Sequence, residues 1–79
     1  MTTEQIKLAA EKYKTAVTGA FAGCKHPEAL LRWAIEKCPH AECRMLAENY
    51  IKTCHGACWN AMINCMPANG WLVWYNGVK

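Results

Sequence analysis

The sequence predicts an all-α fold, a small three- or four-helix bundle followed by an extended, tryptophan-rich C-terminal tail. Three observations predict it. Apolar residues recur at steps of three and four through most of the chain, the period of a helix buried along one face. Pro27, Pro39 and Pro67 cut the chain into helix-length segments. The one stretch of strand-like composition, residues 71–75, lies too close to the C-terminus for a hairpin.

The first helix is expected over about residues 3–22. Thr2 and Gln5 have capping-box spacing, and Ile6, Ala10, Tyr13, Val17, Ala20 and Cys24 form one apolar stripe. Lys7, Glu11, Lys14 and Thr18 mark the opposite face, and Gly23 is the expected stop. A second helix is expected over 27–38, with Pro27 in its first turn and Glu28 at its positive end. Leu30, Leu31, Trp33, Ala34 and Ile35 make it apolar on most sides, hence the most enclosed. Pro39 ends it and opens a third helix, expected over 40–55.

Beyond Ala41 the apolar positions are Cys43, Ala47, Tyr50, Cys54, Ala57 or Cys58, Ala61 and Cys65. One straight helix would satisfy that stripe but would run about 39 Å at 1.5 Å per residue, far beyond what the second helix could cover. A break at Gly56 is therefore expected, with a fourth helix over about 57–66. The segment 67–70, Pro-Ala-Asn-Gly, reads as a turn, and 71–75 as a segment lying extended across the bundle.

With 79 residues the chain is expected to form a single domain, 1–79. A chain this short buries roughly 60–65% of its unfolded surface, so its core is marginal and a covalent or metal staple would help. A 53% hydrophobic and 19% charged composition separates it from disordered chains. The net charge of +3 is spread along the sequence and interleaved with glutamates, Glu28 with Arg32 and Glu48 with Lys52 at helical spacing. That is a solvated surface and not the basic stripe of a nucleic-acid binder. A helix-turn-helix reading of the second and third helices fails similarly, because Glu42 and Glu48 beside Arg44 would repel phosphate.

The chain contains no aspartate and no serine, which removes Ser-His-Asp catalysis, aspartyl chemistry and most calcium sites. A Cys54–His26 nucleophile pair would have only Glu or Asn to orient its imidazole, and nothing suggests an oxyanion hole. The expectation is a non-enzymatic protein. No apolar run approaches a membrane span, and the N-terminal segment lacks a signal-peptide core. A cytoplasmic location is expected, or an extracellular one if a leader was removed.

Six cysteines in so short a chain admit three readings. No Cys-x-x-Cys occurs, so thioredoxin-type chemistry and the commonest zinc knuckle are missing. The second helix, about 16 Å long, keeps its two ends from sharing a site. Cys24 should therefore lie near Cys54 and Cys58 at one end, and Cys38 and Cys43 near Cys65 at the other. As disulfides, Cys24 would pair with Cys54 or Cys58, and Cys65 with Cys38 or Cys43. As reduced residues they would be small buried hydrophobes. As zinc ligands, Cys24, His26, Cys54 and Cys58 would make one Cys₃His set and Cys38, His40, Cys43 and Cys65 another.

The tail carries the main functional expectation. Trp71, Leu72, Val73, Trp74 and Tyr75 would be apolar on both faces of an extended segment, so the bundle could satisfy only one face. The segment either closes the core or anchors a partner, since Trp and Tyr dominate interface hot spots. As a strand, its free edge could also pair with a second copy to give a homodimer. The expected partner is a protein, and the expected role is inhibitor or regulator of a larger macromolecule. By analogy, genes of this kind are common in phage and mobile elements. The rival readings are a secreted, disulfide-stapled hormone, pheromone or toxin, and a small zinc-binding protein.

Overall fold

The capping box at Thr2 forms as the sequence predicts. Gln5 N–H donates to Thr2 Oγ1 at 3.2 Å and Thr2 N–H to Gln5 Oε1 at 2.9 Å, opening helix α1, Thr3–Ala16. The computed structural model describes residues 2–76, apart from the side chains of Ala20, Tyr75 and Asn76. Among these residues it contains five α-helices and no strand, which establishes the all-α class. After α1 come a 3₁₀ turn at Gly19–Gly23, α2 at Pro27–Glu36, α3 at Ala41–Thr53, α4 at Gly56–Cys65 and α5 at Ala68–Asn76.

Helix α1 stops six residues before the expected end at 22. Val17 is extended (φ −111°, ψ 126°) and Gly19 takes φ +77°, a left-handed conformation that glycine tolerates. The following turn is tied back to α1 by Tyr13, whose hydroxyl donates to the Phe21 carbonyl and accepts the Cys24 N–H at 3.0 Å. Val17 and Cys24 are still buried, so the apolar stripe held its spatial meaning after the helix ended.

Pro27 sits in the first turn of α2, and Arg32 reaches Glu28 at 3.3 Å as the spacing predicts. The helix ends at Glu36, two residues early, where the Trp33 carbonyl accepts the N–H groups of both Lys37 and Cys38 at 2.8 and 3.0 Å. It packs against α1, α3 and α5. Leu30, Leu31 and Ala34 are fully enclosed.

The break between α3 and α4 occurs, but at Cys54–His55. Cys54 caps α3 in the left-handed region at φ 56°, donating its N–H to the Tyr50 carbonyl at 2.7 Å. Gly56 therefore begins α4 instead of ending α3. Its missing side chain has a different cause from a cap: a Cβ there would run into the carbonyl oxygen of Ala16 at the end of α1.

The break also rotates the buried face of α4. The expected stripe continued through Ala57 or Cys58, Ala61 and Cys65, whereas the enclosed residues are Trp59, Met62 and Ile63. Cys58, Ala61 and Cys65 are half-buried and Ala57 is exposed. One left-handed residue and one extended residue suffice to change the phase.

The segment expected to lie extended is helical. Residues 71–75 belong to α5, which the Pro67 carbonyl opens by accepting the N–H groups of Gly70 at 2.9 Å and Trp71 at 3.3 Å. Gly70 lies so close to Met66 that a Cβ would fall within 2.8–2.9 Å of its side-chain atoms. Aromatic and β-branched composition favours strands only weakly, and packing on α2 and α4 overrides it here.

Trp59 is at the centre of the core, 0% exposed. Its ring lies 4.4 Å from that of Tyr13 and 5.3 Å from that of Tyr50, both at tilted or edge-on angles. The Tyr50 hydroxyl donates to the Ala9 carbonyl at 3.0 Å, tying α3 to α1.

Candidate functional site

Helix α5 divides the expected partner-binding residues between its two faces. Val73 is 4% exposed and turns into the core with Gly70, and Trp74 is half-buried beside it. Trp71 and Leu72 stand outside at 41% and 56% exposure. The side chain of Tyr75, one turn beyond Trp71, lies outside the described residues. The Trp71 ring meets that of Trp74 edge-on, with centroids 5.2 Å apart and planes at 80°. A helix thus resolves what an extended segment could not, because it gives the core one face and keeps a separate aromatic face outward. With its backbone bonded within the helix, α5 has no strand edge through which a second copy could pair.

The cysteines divide as follows. Cys38 lies close enough to Cys43 for their side chains to interact, and Cys65 lies within electrostatic reach of Cys43. Cys24 is buried against Tyr13 and the His26 amide, whereas Cys54 acts on Tyr50. All six are free thiols. Cys24, Cys38 and Cys43 are buried, and Cys54, Cys58 and Cys65 half-buried.

Neither zinc quartet is assembled. Among the described residues no group of three or more His, Cys, Asp or Glu side chains converges closely enough to hold a metal ion. His26 and His40 cap the starts of α2 and α3 and are exposed. Their backbones open the two helices, with no capping hydrogen bond from either imidazole.

Burial raises the proton affinity of several core groups. It pushes the Cys24 thiol up to about 11, the Cys43 thiol to about 12 and the Tyr50 phenol to about 12, and moves Tyr13 in the same direction. The folded state holds these protons more tightly than the unfolded chain does. Their contribution to stability is complete below the unfolded values, near 9 for the thiols and 10 for the phenols, and is lost as pH rises towards the folded values. Urea unfolding between pH 8 and 11 is expected to show the free energy falling steadily with pH. A flat profile would show that these groups titrate alike in both states.

The remaining surface offers less. An open groove between α1 and the start of α2 sets Lys7, Lys14, Lys25 and His26 against Glu11 and Glu28, a mixed lining with no concentrated charge. Leu8 and Met45 are exposed apolar residues that periodicity did not single out. No helix among the described residues is long and apolar enough to cross a membrane. Comparison with protein-family models, with curated proteins and with solved structures found no match to this chain.

Proposed function

We propose that this chain is a small, non-enzymatic protein-binding module that inhibits or regulates a larger protein, docking through the outer face of α5. The observation that carries the reading is the exposure of Trp71 and Leu72 on a helix whose other face is fixed in the core by Val73. An anchored helix presents its aromatic side chain already ordered, which lowers the entropy cost of binding. The edge-on contact with Trp74 restrains the Trp71 ring further. The occupant that fits is a protein groove lined with apolar side chains, the helix-in-groove mode of recognition. Residues 68–76 carry no charge, which disfavours a phosphate backbone as the occupant.

The test places a photo-crosslinking residue at position 72 and identifies what it captures in the source cell. The captured protein is then purified and its affinity measured against the native chain and a Trp71→Ala, Leu72→Ala double variant. The reading expects a loss of at least about 30-fold, the equivalent of a hot spot of about 2 kcal/mol. An unchanged affinity, or capture of a second copy of this chain alone, would overturn it.

A further inference from the structure

We propose that this chain exchanges α4 and α5 with a second copy of itself, giving a dimer in which α3 and α4 of each chain form one continuous helix. The joint between the two helices carries the inference. Cys54 and His55 alone reverse the chain between α3, ending at Thr53, and α4, starting at Gly56. Cys54 holds φ 56° and ψ 31°, and among the described residues it is the one non-glycine residue with a positive φ. A residue with a Cβ is strained in this left-handed conformation, whereas glycine adopts it readily. His55 is extended (φ −83°, ψ 124°), and its imidazole makes no capping bond to α4. Neither residue is a proline, so nothing in the joint forbids a helix.

The flanking sequence favours one. Cys43, Ala47, Tyr50, Cys54, Cys58, Ala61 and Cys65 recur at steps of three and four straight through the joint. Straightening would give the amides of His55, Gly56 and Ala57 the carbonyls of Ile51, Lys52 and Thr53, the regular bonds of a helix interior. In the broken form the His55 N–H meets the Thr53 hydroxyl at 3.4 Å.

A lone chain cannot use the straight helix. It would run about 39 Å over residues 41–66 and carry Trp59, Met62 and Ile63 out of the core they fill. A second copy supplies that core. Helix α4 of each chain enters the place vacated in the other, so that Trp59 of one copy meets Tyr13 and Tyr50 of the other. Only the joint changes. Helix α5 follows α4, because Met66 and Pro67 alone separate them, and its outer face stays outward on each lobe. The exchange is therefore independent of the docking role proposed for α5. A short joint under strain is the circumstance that invites such exchange. The two forms interconvert by opening the core, so the dimer forms on refolding and persists on dilution.

The experiment refolds the reduced full chain from urea at concentrations up to millimolar and measures mass by size-exclusion chromatography with light scattering. The expected result is a dimer whose share grows with the refolding concentration. Cys54→Ala, a better helix former that stays strained in the left-handed turn, should enlarge that share, and Cys54→Gly should suppress it. Their dimerisation constants should differ at least about 100-fold, because each dimer contains the joint twice. Cys54 is half-buried, and circular dichroism would establish that both variants fold. In a dimer of isotope-labelled and unlabelled chains, nuclear magnetic resonance should find Tyr50 of one copy against Trp59 of the other. A chain that stays monomeric at every refolding concentration would overturn the proposal. So would equal dimer shares for Cys54→Ala and Cys54→Gly, or a dimer in which Tyr50 and Trp59 meet only within one chain.

Discussion

Replacing Trp59 with alanine is expected to cost about 3–5 kcal/mol, enough to leave most of a marginally stable chain unfolded at 25 °C. The indole is fully enclosed and touches the rings of Tyr13 and Tyr50, so its loss opens a cavity where α1, α3 and α4 meet. Tyr13 also holds the Gly19–Gly23 turn and Tyr50 holds α1 to α3, and both lose their packing partner with it. Among the described residues the Trp59 indole N–H has no acceptor. Trp59→Phe removes no hydrogen bond, keeps an aromatic ring in place, and should cost much less. Urea unfolding followed by far-ultraviolet circular dichroism distinguishes the two variants. A Trp59→Ala protein losing under about 1.5 kcal/mol would place the centre of the core elsewhere.

The second large effect is expected at Gly56. In an exposed helix, glycine to alanine stabilises by up to about 1 kcal/mol. Here the sign should reverse, because the new methyl meets a backbone carbonyl, that of Ala16, and not a flexible side chain. Either α1 or α4 must move, and the expected loss is about 3 kcal/mol, the upper end of the range for overpacking. Gly23 is the control: nothing lies within 4 Å of a Cβ built there, and Gly23→Ala should be close to neutral. A thermal melt in which Gly56→Ala matches or exceeds the parent would rule out the close approach of α4 to the end of α1.

Particular elements show what the sequence made legible. The capping box at Thr2, the proline-led start of α2 and the Glu28–Arg32 pair are local signals, and local signals were sufficient for them. The phase of α4 was hidden, and with it the identity of its buried residues. A left-handed non-glycine residue such as Cys54 has no composition signature, so the turn of the buried face towards Trp59 could not be read ahead of the break. Gly56 was visible as a glycine, but its reason is the Ala16 carbonyl, a contact forty residues away in sequence.

The tail shows the same limit in a functional setting. Its five apolar residues pointed to an anchor, and the composition pointed to a strand. The deciding facts were tertiary: a Pro67 carbonyl free to open a helix, and space on α2 and α4 for Val73. Among the described side chains, Trp71 and Leu72 are left as the outward pair, with Val73 transferred to the core.

The central claim is that this outer face of α5 is free for a partner and holds up nothing beneath it. Urea unfolding of the Trp71→Ala, Leu72→Ala double variant tests it most directly. The account predicts an unfolding free energy within about 0.5 kcal/mol of the parent, as for surface substitutions in general. A loss of about 2 kcal/mol or more would mean that both side chains belong to the core, and that the docking surface is not on α5.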